Sequence, residues 1–289
     1  MFRNALREVS AFTAPVAVSR LYHSGEVTAG CGTFFAVNPE GWVLTAAHVL
    51  SDIPIHAKHQ PLLVAYHSAR AAIESDPKLD ARQKRKRVDK LGADPTWLVR
   101  FSHWWGLDGL RATQWHVDPL ADLALVRLDP FPSSGITTFA RFCTSAPLEP
   151  GLSLCRLGYP FHTIKATWDA TTSQFRFAPG TLPFPRFPLD GMYTREAIVQ
   201  DAATGREVSF VETSSPGLRG QSGGPIFDVE GRVCAVQSQT ANFALGFNPK
   251  VTVNGKTTEE HQFLNAGLGT HVNTVVAFMR QCNVSFTEA

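Results

Sequence analysis

Gly220-Gln221-Ser222-Gly223-Gly224-Pro225 sets a serine among glycines, and two upstream segments give it meaning. Thr45-Ala46-Ala47-His48 ends an apolar run on a histidine, and Asp122-Leu123-Ala124-Leu125-Val126 opens one on an aspartate. A serine hydroxyl is a weak nucleophile at neutral pH. It needs a base within hydrogen-bond reach, and the base needs a third group to hold its tautomer. These residue types assign Ser222 as nucleophile, His48 as general base and then acid, and Asp122 as the group that orients His48. The glycines have their own reason. An oxyanion hole needs backbone N–H groups aimed at one point, in a turn with little room for side chains. The N–H groups of Gly220 and Ser222 are the expected donors. Each segment alone is a weak signal: a glycine-rich loop, a core histidine near a strand end, a capped strand start. All three in one chain, in the order His, Asp, Ser, carry the assignment.

Those segments make the chain resemble the chymotrypsin-fold serine proteases, and more closely the bacterial trypsin-like branch that includes the HtrA proteases. The match runs from Gly32 to Val49, through Asp118 and Asp122–Val126, to Pro150-Gly151 and Gly158-Tyr159-Pro160-Phe161. It continues through Val211–Pro225 and Gly231-Arg232-Val233-Cys234-Ala235-Val236, covering most of residues 12–282. The resemblance implies an all-β fold of two antiparallel six-stranded β-barrels with a short C-terminal helix. The cleft between the lobes would take His48 and Asp122 from the first lobe (1–140) and Ser222 from the second (141–289). It places Pro216 and Gly217 at the base of the primary specificity pocket and Ser238, Gln239 and Thr240 along its wall, with the Ser238 carbonyl facing substrate backbone. No acidic residue stands at the pocket base, which disfavours a preference for Lys or Arg. Polypeptide is the implied substrate, and no cofactor or metal is expected.

The departures inform as well. Gln221 stands where secreted trypsins carry an Asp that pairs with a newly cut N-terminus, so activation by N-terminal cleavage is not expected. The turn from Leu218 to Ser222 must be ordered by the chain itself, by the segment 175–192, or by a regulatory protein partner, and a partly latent enzyme is favoured. The chain ends too soon after Ser222 for the PDZ domain of HtrA proteases.

The 289 residues suit one two-lobed domain, and 44% hydrophobic with 18% charged residues is ordinary for a globular protein. A net charge of +2 gives no general argument for a polyanionic partner. The five cysteines, at 31, 143, 155, 234 and 282, are odd in number. None lies two to four positions from another, so neither a disulfide scaffold nor a zinc site is indicated. Cys31, Cys155 and Cys234 sit in apolar runs and read as reduced core residues. Met1–Ala14 lacks a signal-peptide run and spaces Phe2, Ala5, Leu6 and Val9 as on a short amphipathic helix. A cytoplasmic location with no membrane association is expected.

Short apolar runs bounded by Gly, Pro, Asn and Asp recur as in barrel proteins. Strands are predicted over 16–21, 32–37, 41–45, 97–101, 113–117 and 122–128, then 152–157, 197–200, 207–212, 225–228, 232–237 and 264–269. A linker is predicted over 129–147 and a helix over 273–281. Two segments are extra. Within 52–112, Arg82, Lys84, Arg85, Lys86 and Arg87 form a basic run. Nearby acids favour a solvated helix or flexible loop there over a contact with nucleic acid or an acidic partner. Trp97, Trp104, Trp105 and Trp115 read as core. Phe175–Met192 is rich in Phe and Pro and reads as an ordered loop, since proline lacks the N–H a ladder needs. A serine endopeptidase using an acyl-enzyme is the leading function. A catalytically silent interaction module on the same fold, or an esterase using the same serine, are the alternatives.

Overall fold

A computed structural model describes residues 1–145, 147–253 and 256–289. The first lobe is a six-stranded sheet of β1 (Thr13–Tyr22), β2 (Val27–Ala36), β3 (Trp42–Thr45), β4 (Leu98–Trp104), β5 (Arg111–Asp118) and β6 (Leu123–Asp129). Its order is β4-β1-β2-β3-β6-β5, every neighbouring pair antiparallel. After a short β7 (Arg141–Phe142) come β8 (Ser153–Gly158), β9 (Ala166–Asp169), β10 (Gln174–Phe177), β11 (Phe187–Gln200) and β12 (Glu207–Thr213). They are followed by β13 (Pro225–Phe227), β14 (Val233–Ala244), β15 (Lys250–Val253), β16 (Lys256–Glu259), β17 (Phe263–His271) and β18 (Thr287–Glu288). In the second lobe the order β13-β8-β11-β12-β17-β14 closes on itself through β13–β14, so six strands form a ring. All twelve predicted strands are present, and the fold is the two-barrel, chymotrypsin-like one. The first sheet stays open between β4 and β5 among the described residues.

The opening has a visible cause. The insert is a helical hairpin, α2 (Asp52–Ser75) and α3 (Ala81–Asp89), and α2 lies against β4. Asp52, buried at the start of α2, pairs with Arg20 of β1 at 2.7 Å. His59 Nδ1 accepts the Leu98 N–H, and His23, Tyr66, His67 and Trp97 pack ring against ring. The basic run is the exposed α3, started by a capping box between Asp80 and Gln83. Of the four tryptophans read as core, Trp105 is buried, Trp97 and Trp104 are half-buried, and Trp115 is exposed on the open edge.

The N-terminal helix, α1 (Arg3–Phe12), turns Ala5, Val9 and Phe12 into the core. Phe2 meets Phe227 edge-on and Glu8 pairs with Arg141 at 2.8 Å, so the helix also touches the second lobe. The C-terminal helix, α4 (Val272–Gln281), buries Val275, Val276 and Met279. One apolar core runs through both lobes, from Phe34 and Leu125 to Val208 and Phe227.

Phe175–Met192 departs from the loop expected there. Its start belongs to the β9–β10 hairpin, and Phe187–Met192 is the first half of β11, paired with β8. Pro188 is tolerated because this half of β11 pairs on one edge only, β12 joining from Tyr193 onward. Phe177 and Phe184 pack on Trp104 of the first lobe. The strand predicted at 232–237 also runs further, to Ala244, and pairs with β17 as a ribbon beyond the barrel. No helix among the described residues is long and apolar enough to cross a membrane.

Candidate active site

Three local devices bring the expected residues together. His48 lies in a 3-10 turn, Ala47–Leu50, just after β3. Asp122 stands one residue before β6 with φ +50, a left-handed conformation that an Asp tolerates better than most residues. That strained corner is held from several sides. Asp118 Oδ1 accepts the Ala121 N–H, Thr270 donates to the Ala121 carbonyl, and the Asp122 carbonyl accepts the Ala47 N–H at 3.1 Å. Arg206 of the second lobe pairs with Asp118, so the corner is tied across the cleft.

The Asp122 carboxylate accepts from His48 Nδ1 at 2.9 Å, the His48 N–H at 3.0 Å and Ser238 Oγ at 2.6 Å. Burial pushes this carboxyl up, but the bonds from His48 and Ser238 outweigh it and hold Asp122 below the ordinary carboxylate range. The bond to Asp122 raises His48 above its ordinary 6.5, against an opposing effect of burial. His48 Nε2 remains for the cleft, and among the described residues Ser222 Oγ makes no hydrogen bond. A nucleophile–base bond of this kind often tightens only when substrate binds.

The Ser222 turn is clamped by β2 of the other lobe. Thr33 N–H donates to the Ser222 carbonyl at 2.8 Å and Thr33 Oγ1 to the Gly220 carbonyl at 2.7 Å. Gly223 has φ +82, and a Cβ there would lie 2.3 Å from Thr45 Oγ1. Within the turn, Gln221, Gly223 and Gly224 donate their N–H groups to Leu218, Gln237 and Gln221 carbonyls. The N–H groups of Gly220 and Ser222 have no partner among the described residues. Gln221 is fully buried; its Oε1 accepts the Leu218 N–H at 3.0 Å and its Nε2 donates to the Phe187 carbonyl at 3.3 Å. A neutral amide thus anchors the turn to β11, while Met1 is exposed.

A cleft of about 750 Å³ holds His48, Gly220 and Ser222 with Cys31, Tyr159, Phe161, His162 and Leu218. The expected pocket residues Pro216, Gly217, Ser238, Gln239 and Thr240 lie outside it. Gly217, expected at the pocket base, and Thr240, expected on its wall, are joined by Thr240 Oγ1 donating to the Gly217 carbonyl at 2.6 Å. Gln237 Nε2 donates to the Gln239 carbonyl at 3.0 Å. Thr33, Gln237 and the hydroxyl of Ser238 were not singled out by their roles here. Each acts across 81 or more positions of chain or lies in an apolar strand, where no local pattern marks it.

Residues 32–236 match the trypsin-like peptidase domain family. The chain belongs to that family. It is a serine protease, a hydrolase. Among solved structures, the active form of the Rv3671c protease from M. tuberculosis is similar with 14% identity and a TM-score of 0.52, over 98% of this chain and 86% of that one. An inactive serine-to-alanine mutant of the same protein is similar with 14% identity and a TM-score of 0.50, over 96% and 90% of the two chains. At that identity the likeness is one of fold. No curated protein matches the chain in sequence.

Proposed function

We propose that this trypsin-like peptidase is an endopeptidase working through His48, Asp122 and Ser222. The observation that carries the proposal is the 2.9 Å contact of His48 Nδ1 with Asp122, which leaves Nε2 as the basic nitrogen in the cleft beside Ser222. Ser222 Oγ attacks the scissile carbonyl as His48 Nε2 takes its proton. The carbonyl oxygen becomes an oxyanion that accepts from the Gly220 and Ser222 N–H groups. Collapse breaks the C–N bond, and His48 returns the proton to the leaving amine. Water then attacks the acyl-enzyme by the same route in reverse roles, releasing the acid and restoring Ser222.

Partial latency has one support, the Thr240–Gly217 bridge between the expected base and wall of the pocket. An extended substrate or a regulatory partner would have to part it. A cytoplasmic, reducing setting fits the five cysteines, all free thiols in the fold. The nucleic-acid alternative has no support beyond the exposed α3. The test of the function is cleavage of an unfolded polypeptide, read by mass spectrometry of new termini. Internal cuts that vanish in Ser222→Ala support an endopeptidase. Ester hydrolysis without peptide cleavage would favour the esterase instead.

A further inference from the structure

Arg156 of β8 is 1% exposed, and no carboxylate lies within ion-pair distance of it among the described residues. Its partners are all neutral. Nη1 donates to Gln237 Oε1 at 2.7 Å, and Nη2 to the Ser215 carbonyl at 3.0 Å and to Thr213 Oγ1. Its Nε has no partner. The fold makes room for this cation: a Cβ on Gly267 would lie 2.1 Å from Nη1. Burial pulls the guanidinium down to about 10, far above neutrality, so the charge is kept. A buried charge without a counter-ion is expensive, which makes its position informative.

That position is directly behind the residues expected to form the pocket base. Ser215 precedes Pro216, and Gln237 Nε2 lies where a Cβ on Gly217 would be, 2.1 Å away. Arg156 fixes Oε1 of Gln237, and Nε2 of that amide donates to the Gln239 and Leu268 carbonyls. Thr240 Oγ1, now bonded to the Gly217 carbonyl, is the side-chain donor beside it. The expected pocket therefore offers the Thr240 hydroxyl as a donor, backed by an uncompensated positive charge.

We propose that Arg156 makes the primary pocket selective for an acidic side chain, Glu or Asp, on the acyl side of the scissile bond. The proposal rests on the endopeptidase assignment above. The entering carboxylate replaces the Gly217 carbonyl as acceptor for Thr240. It supplies the counter-ion that Arg156 lacks, in a site of low dielectric where the attraction is strong.

The experiment uses fluorogenic peptides that differ only in Glu, Gln, Lys or Phe before the cleaved bond. A fluorophosphonate probe, which needs no pocket occupant, is run in parallel. Glu should exceed the isosteric Gln by about 10- to 100-fold in kcat/KM, the margin of a charge-assisted over a neutral hydrogen bond. Arg156→Met should bring the ratio close to one, and Arg156→Lys should keep part of it. Gln237→Glu adds a counter-ion while leaving Arg156 in place, and should also abolish the preference; labelling reports whether each variant is folded. Labelled wild-type protein that cleaves Gln or Lys peptides as well as Glu overturns the proposal and leaves the nucleophile assignment standing. A Glu preference that survives both Arg156→Met and Gln237→Glu also overturns it. If the wild type does not label, peptide affinities of Ser222→Ala decide: equal binding of Glu and Gln peptides is fatal to the pocket.

Discussion

The Ser222 turn and the specificity pocket are neighbours in the chain, yet their polar groups are handled in opposite ways. Around Ser222 the N–H groups of Leu218, Gln221, Gly223 and Gly224 are satisfied, while those of Gly220 and Ser222 have no partner among the described residues. Thr33 of the first lobe and the buried Gln221 hold the turn in that state. A few residues away, Gly217 and Thr240 satisfy each other, and a buried cation stands behind them without an anion. On the mechanism proposed above, the chemistry is assembled in advance, with vacant donors where charge would develop. Selection on that proposal is not: the Thr240–Gly217 bridge must part, and the charge of Arg156 awaits a partner.

The contrast would break first at the reacting groups. Ser222→Ala or His48→Ala should lower kcat by on the order of 10⁴–10⁶, and the double variant should be little worse than either, because base and nucleophile act as a unit. Multiplicative losses in steady-state peptide hydrolysis would contradict the assignment. Next is the anchor of the turn. Gln221→Leu leaves the Leu218 N–H without its acceptor and should destabilise the fold by about 1–3 kcal/mol in denaturant unfolding, with a fall in kcat. An unchanged kcat would mean that the turn is ordered without Gln221.

The pH profile sharpens the same side of the comparison. Only neutral His48 can take the Ser222 proton, and Asp122 raises the His48 pKa in the folded protein. Activity should therefore rise with pH through a midpoint above 6.5, the ordinary value. A midpoint at or below that value in kcat/KM would mean that Asp122 does not stabilise the charged histidine. The smallest effect is expected at α3. Replacing Arg82, Lys84, Arg85, Lys86 and Arg87 by Gln should leave peptide hydrolysis unchanged and shift stability by less than about 1 kcal/mol, since the helix is exposed. A large loss of peptide hydrolysis would give the insert a part in catalysis.

What could be read in the sequence follows from how local each signal is. Strands such as Leu123–Asp129 declare themselves by an apolar run, and Gly220–Pro225 by its composition. The long α2 does not, because Pro61 interrupts it and it buries little beyond Asp52 and Leu63. Phe187–Met192 was hidden by Pro188, whose tolerance depends on which edge of β11 is paired. The bond from Ser238 to Asp122 and the setting of Arg156 join residues far apart in sequence. Helix α1 was legible by its spacing, but not its role. With Ala5, Val9 and Phe12 in the core, removal of residues 1–15 should destabilise the protein rather than activate it.

The central claim is a preassembled serine nucleophile that needs no new N-terminus. Fluorophosphonate labelling of the full-length protein, with Met1 retained, tests it most directly. Prompt labelling at pH 8 that disappears in Ser222→Ala and does not increase on trimming before Val16 is the expected result. No labelling until the chain is trimmed would contradict it, because Gln221 would then not suffice to order the turn.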